Sequence, residues 1–224
     1  MDDHELAGHL DLANHHPQST PEDIEVLCQK VTEFGFNSAF VNPCYVALAK
    51  SLLVNRTKVG TVVSFPLGQD TLNAKISAVN ELVQVGADEL DVVPNIGTLL
   101  TGDEDGFKAE LQELVAVAHQ SRPVIIKFII ETGLFDNLDN GRELVKKAAV
   151  LIRDSGADFV KICTGMGPRG ASVKDVNLVR QAVSNTIKVK AAGGIDTRAE
   201  ALALLAAGAD RIGTSHAVKI ISGL

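Results

Sequence analysis

Two lysines sit near the ends of short apolar runs, Lys161 in Ala157-Asp-Phe-Val-Lys-Ile-Cys-Thr-Gly165 and Lys190 in Ile187-Lys-Val-Lys-Ala-Ala-Gly-Gly194. Burial and a second ammonium nearby both push a lysine toward its free amine. A free amine attacks a carbonyl and forms a Schiff base. Each lysine also has a plainer reading: a lone strand lysine snorkels to the rim or pairs with a carboxylate, and Lys190 could be a phosphate-binding point charge. Residue type and spacing alone do not rank the two. Lys127, in Val124-Ile-Ile-Lys-Phe-Ile-Ile130, is a third candidate; structural pairing is its preferred reading, with Glu131 placed on the opposite face. Asp91 interrupts Glu89-Leu-Asp-Val-Val-Pro94, where an acid can accept a proton, position a water, or simply pair with one of the lysines. Asp11 falls on a strand as well.

Three small-residue loops have the character of anion cradles: Gly165-Met-Gly-Pro-Arg-Gly170, Gly193-Gly194 and Gly213-Thr-Ser215. Glycine lets backbone N–H groups approach a phosphate, and Arg169 would add a charged donor. His9, His15 and His16 lack the reinforcing spacing of a metal site, so they read as solvent-exposed and no metal is assigned. His216 stands open between ligand contact and surface, and Tyr45 reads as a packing residue.

Such residues need a scaffold. Short β-branched runs at 9–12, 38–41, 58–64, 89–93, 124–130, 159–163, 187–191 and 211–214 alternate with segments of helical apolar spacing at 20–34, 71–85, 105–120, 140–155, 172–184 and 197–207. Gly-Ala-Asp recurs at 86–88, 156–158 and 208–210, each time after a helix and directly before a strand. Glycine stops the helix and the next two residues turn the chain back into the sheet. Eight strands with intervening helices predict an α/β fold, a single (β/α)8 TIM barrel over residues 1–224, with a doubly wound open sheet as the alternative. In a barrel the reactive residues project from the carboxyl ends of the strands, and phosphate sites commonly follow strands seven and eight.

Composition narrows the functional class. The formal charge of −7 disfavours a nucleic-acid surface but leaves room for a local basic pocket and a small anionic ligand. No apolar stretch reaches the ~18 residues needed to span a bilayer. The acidic start Met1-Asp-Asp-His-Glu lacks the regions of a secretory signal, and the three cysteines form no CxxC pair, so a cytoplasmic protein with reduced thiols is expected.

Taken in order, Phe40-Val-Asn-Pro43, Val63-Ser-Phe-Pro-Leu-Gly68, Glu89-Leu-Asp-Val-Val93, Ile129-Ile-Glu-Thr-Gly133, Ala157-Asp-Phe-Val-Lys161, Lys190-Ala-Ala-Gly-Gly194 and Arg211-Ile-Gly-Thr-Ser215 resemble the deoxyribose-phosphate aldolase family over nearly the whole chain. The resemblance implies a class I aldolase, without metal or cofactor, that reversibly cleaves 2-deoxyribose 5-phosphate to glyceraldehyde 3-phosphate and acetaldehyde. It implies Lys161 as the Schiff-base residue, Lys190 as the lysine that tunes it and Asp91 as the acid assisting proton transfer. It further implies an active-site role for Asp11 and a phosphate grip at Gly165, Gly193, Gly194 and Ser215; with these, Lys127, Thr164, Arg169 and Gly213 complete the candidate substrate-binding set. The expected bond cleavage is C3–C4, and the expected assembly is a homo-oligomer. The chain departs from the family at Ile162 and Cys163, where hydroxyl residues are usual, at Leu12-Ala-Asn14, which lacks a threonine, and at His216, where serine is common. These departures keep open another Schiff-base aldolase of a phosphorylated sugar, or a non-catalytic sugar-phosphate-binding barrel.

Overall fold

The computed structural model describes residues 1–53 and 57–223. Eight parallel strands close into a barrel in sequence order: β1 (Leu10–Asn14), β2 (Ser38–Val41), β3 (Lys58–Val63), β4 (Glu89–Val92), β5 (Ile125–Ile129), β6 (Phe159–Lys161), β7 (Lys188–Ala192) and β8 (Arg211–Thr214). β8 pairs back onto β1 with Asp11 opposite Gly213, so the open-sheet alternative is excluded. Strands β2, β4 and β8 are buried along their whole length, as parallel strands covered on both faces must be. β6 is shorter than the apolar run suggested and ends at Lys161 itself, which puts that side chain at the carboxyl rim.

The recurrent Gly-Ala-Asp has a second role beyond stopping helices. Gly86, Gly156 and Gly208 take φ of 106°, 88° and 108°, a region that favours glycine. The aspartate that follows each one then grips the strand before it. Asp88 Oδ2 accepts from the Val59 N–H (2.8 Å), Asp158 Oδ2 from the Ile126 N–H (2.8 Å) and Asp210 Oδ2 from the Val189 N–H (2.7 Å). Each aspartate's own N–H returns a bond to the carbonyl of the same residue. The three copies are therefore register clamps at the amino ends of β3, β5 and β7. A one-residue slip would turn every inward side chain outward.

Helices α1 (Asp3–Ala7), α2 (Pro21–Phe34), α3 (Val46–Leu52), α4 (Leu72–Gln84), α5 (Ile96–Leu100), α6 (Glu104–His119), α7 (Gly141–Asp154), α8 (Val173–Val183), α9 (Arg198–Ala206) and α10 (Ala217–Ser222) pack around the barrel. Capping boxes begin three of them: Thr20 with Asp23, Ser172 with Asp175, and Thr197 with Glu200. Four helices were not anticipated, α1, α3, α5 and α10. Each is too short for an apolar stripe to repeat and announce itself. Tyr45 packs as expected, its hydroxyl donating to the Ser19 carbonyl at 2.5 Å and tying the loop after β2 to the start of α2.

Candidate active site

Side chains alternate across a strand, so the residues opposite one another in register point into the barrel together. Asp91 stands opposite Lys127, Lys161 opposite Lys190, and Lys190 opposite Arg211. The three lysines converge on one acid. Lys161 Nζ donates to Asp91 Oδ2 at 2.8 Å, Lys190 Nζ to the same oxygen at 2.9 Å, and Lys127 Nζ to Oδ1 at 3.0 Å. Lys127 also bonds Glu89 at 2.5 Å, and Lys190 lies 2.8 Å from Asp11 Oδ2. Asp11 Oδ1 accepts from Arg211, Ser38 and Asn37 at 2.8, 2.6 and 2.9 Å. Lys190 Nζ also sits 3.5 Å from the centroid of the Phe40 ring, a close cation–π contact.

Formal charges in this buried network do not balance. Among the buried groups, Asp11, Glu89 and Asp91 oppose Lys127, Lys161, Lys190 and Arg211, one cation too many, and the partly exposed Lys58 ammonium also reaches Glu89 from the amino-end rim at 3.5 Å. The surroundings decide which lysine gives up its charge. Burial, the largest influence, lowers the Lys161 pKa; Asp91 opposes this, and Lys190 and Lys127 reinforce it. For Lys127 burial works the same way, yet Asp91, Glu89 and Asp11 outweigh it and push the pKa up to about 12. Asp91 is held well below the carboxylate range, because its three ammonium neighbours overcome the effect of burial. Release of one proton from Lys161 leaves three cations facing three anions around an uncharged amine.

Lys161 and Lys190 both line an open cavity at the carboxyl end of the barrel, with Asp91 at its floor. Phe40, Phe65, Ala13 and His15 line it from the β1–β3 side, and Thr164, Gly165, Gly193, Gly194 and Ser215 from the β6–β8 side. Backbone N–H groups of Gly165, Gly193, Gly194 and Ser215 have no protein acceptor among the described residues. Gly193 and Gly194 take φ of 86° and 66°. Backbone meets backbone here: a Cβ on Gly170 would lie 2.1 Å from the Gly193 carbonyl oxygen. Donors of this kind on closely packed glycine loops have the geometry that suits an anion.

Several expectations need correction. Arg169 does not face the cavity; its guanidinium is taken up by Asp136 at 2.5 and 2.8 Å and by Asp175 at 2.6 and 3.0 Å. Lys127 lies fully buried beneath Asp91, outside the cavity lining, and pairs with Glu89 and Asp91. Asp11 is likewise enclosed and outside the cavity lining, with Lys190 Nζ, which does line it, 2.8 Å away. Gly213 does line the cavity, but the space it leaves is filled by Lys190, whose Cε would meet a Cβ there at 2.9 Å. His15 is half-buried in the cavity wall, its ring centroid 5.4 Å from that of Phe65. Burial first, then the charge of Lys161, drives its pKa down to about 3, which leaves a neutral imidazole. Its position in the loop directly after β1 was the available clue. Glu131 turns inward as well, beneath the loop after β6, because its backbone takes a left-handed φ of 55° that no strand periodicity reveals. Ile162 and Cys163 lie in the core outside the cavity, so the hydroxyls missing there are not lost from the site. Ala13 does face the cavity.

A family model described as DeoC/LacD family aldolase matches residues 1–220. The chain is 43% identical over 222 residues to the deoxyribose-phosphate aldolase of Thermococcus gammatolerans, covering 98% of this chain and 96% of that one. It is 44% identical over 206 residues to the enzyme of the same name from a Thermoanaerobacter species, covering 92% and 90%. Among solved structures, the tetrameric deoxyribose phosphate aldolase of Aeropyrum pernix aligns with a TM-score of 0.90 at 31% identity, over 99% of this chain and 92% of that one.

Proposed function

Because this chain belongs to the DeoC/LacD aldolase family, we propose that it is a class I aldolase that reversibly cleaves 2-deoxyribose 5-phosphate to glyceraldehyde 3-phosphate and acetaldehyde. The observation that carries the reading is the opposite treatment of two buried lysines: the network favours the charge on Lys127 and disfavours it on Lys161, which opens onto the cavity.

The neutral Lys161 amine attacks the C1 aldehyde, and loss of water gives the iminium. Acetaldehyde carries C1 and C2, so the bond that breaks is C2–C3, which corrects the C3–C4 cleavage expected above. Its electrons flow into the iminium and leave an enamine on Lys161, while the C3 hydroxyl loses its proton and becomes the carbonyl of glyceraldehyde 3-phosphate. Protonation at C2 and hydrolysis then release acetaldehyde. Asp91 Oδ2, 2.8 Å from Lys161 Nζ, is placed to relay protons directly or through water. Lys190 disfavours the Lys161 ammonium by like-charge repulsion. The Gly165, Gly193, Gly194 and Ser215 backbone would hold the phosphate, and that remote binding orients C1 against the amine.

The tetrameric Aeropyrum relative supports a homo-oligomer, and the free thiols of Cys28, Cys44 and Cys163 support a reducing, cytoplasmic setting. The test is to incubate the protein with 2-deoxyribose 5-phosphate, measure acetaldehyde, and reduce the mixture with borohydride. The expected result is acetaldehyde release and a two-carbon adduct on Lys161, both lost in Lys161→Ala. An adduct on Lys190, or activity that survives the substitution, overturns the mechanism.

A further inference from the structure

We propose that Glu131 is a positioning residue for phosphate recognition: it clamps the Thr164–Gly167 segment so that the segment presents its backbone to the cavity. The inference rests on the reading of that cavity as a sugar-phosphate site.

Glu131 follows β5 and precedes the 3-10 turn Thr132–Phe135, with φ 55° and ψ 64°. A left-handed glutamate is strained, and such strain persists where the surrounding structure holds it in place. The turn aims the carboxyl group under the neighbouring loop. Oε2 accepts from the Thr164 N–H at 2.9 Å and also from the Thr164 hydroxyl, and Thr164 Oγ1 in turn accepts the Met166 N–H at 2.9 Å. One carboxyl oxygen thus fixes the first turn of the loop that begins three residues after Lys161.

Gly167 completes the fit. A Cβ on it would lie 2.4 Å from the Glu131 carboxyl carbon and Oε1, so the loop is draped directly over the acid. Oε1 itself is buried and accepts no hydrogen bond from the described residues. The far end of the loop is held separately. The Ala171 N–H bonds the Ala192 and Gly193 carbonyls at 3.2 Å, and Arg169 is tied to Asp136 and Asp175. Thr164, Gly165 and Met166, the part that lines the cavity, depend on Glu131.

An acidic group beside an anion site weakens anion binding by repulsion, so deleting it should tighten phosphate binding if charge were its whole effect. Positioning predicts the opposite sign. Inorganic phosphate affinity, measured by calorimetry on the wild-type protein, should weaken about tenfold in Glu131→Ala, as expected for loss of a buried clamp. Glu131→Gln keeps an oxygen for both Thr164 donors and should stay within roughly threefold of wild type. In turnover, Glu131→Ala should raise KM for 2-deoxyribose 5-phosphate while leaving kcat/KM for unphosphorylated 2-deoxyribose nearly unchanged. If Glu131→Ala does not fold, Gly167→Ala displaces the same contact from the other side and should weaken phosphate in the same direction. Tighter or unchanged phosphate binding in the variant that folds, or an equal loss for both sugars, overturns the proposal. A wild-type protein that releases no acetaldehyde defeats the aldolase reading instead, and leaves the phosphate measurement to decide this one.

Discussion

Lys127→Met tests whether the third lysine supports the site or takes part in it. The wild-type ammonium is fully enclosed and touches two carboxylates, at 2.5 Å on Glu89 and 3.0 Å on Asp91. At an effective dielectric of about 20, those contacts amount to roughly 6.6 and 5.5 kcal/mol of gross Coulomb energy. Several kcal/mol of desolvation per ion offset most of that in the intact network, and breaking a buried pair costs about 3–5 kcal/mol because the acids stay buried without their partner. For a chain of this length that corresponds to a fall in Tm of roughly 6–20 °C. A second variant separates charge from packing: Lys127→Met with Glu89→Leu removes one cation and one anion together, and should recover much of the loss. Thermal unfolding followed by circular dichroism reads both. In Lys127→Met, Asp91 also turns more of its attraction on Lys161, so imine formation moves to higher pH while the borohydride adduct stays on Lys161. An unchanged Tm, or an adduct that maps to Lys127 in the wild-type protein, refutes the structural role.

Three further outcomes are expected. Gly170→Ala places a Cβ 2.1 Å from the Gly193 carbonyl oxygen, so it should raise KM for the phosphorylated sugar about tenfold or more while trapping of acetaldehyde alone is retained, as single-turnover reduction will show. Lys161 has a lowered pKa, so the rate of acetaldehyde trapping should rise with pH and level off below the range of an ordinary lysine; Lys190→Met removes a repelling charge and should carry that plateau to higher pH. Burial pushes the Cys163 thiol up to about 12 and Cys44 is exposed, so a thiol reagent should label Cys44 and spare Cys163, with mass spectrometry reading the sites.

The strand-and-helix alternation could be read from the chain because parallel strands and long amphipathic helices each repeat their pattern several times. Lys161, Lys190 and Asp91 could be read as well, since a charge inside an apolar strand is conspicuous in any register. What escaped had no periodicity to carry it. Glu131 enters the site through one left-handed backbone torsion, and His15 through the path of a loop. Arg169 misled for a related reason: a guanidinium amid glycines suggests an anion partner, and nothing local shows that Asp136, more than thirty residues earlier, and Asp175 reach it first. Short helices of five to seven residues, such as α1 and α3, fall below the length at which a stripe can be told from chance.

The arrangement of three lysines on one aspartate explains more than a lone buried lysine could. A lone lysine in an apolar strand would lose its proton by desolvation, but no acceptor would stand beside it to take the proton its nitrogen must shed after attacking the carbonyl. Here the proton leaves a network in which Asp91 remains anionic and hydrogen-bonded to Lys127 and Lys190, so its oxygens stay available as acceptors close to the reacting nitrogen. In the proposed mechanism Lys161 regains a positive charge as the iminium, and the buried network returns to four cations against three anions. That excess charge sits beside the carbon whose bond must break, and electron flow into the iminium relieves it going forward, as hydrolysis does in reverse. The network is therefore balanced with the free amine and with the enamine, and unbalanced with the iminium between them. Such a pattern favours passage through the iminium over accumulation of it. Asp11 and Arg211, which never touch the cavity, matter because they hold Lys190 where its charge enters this count.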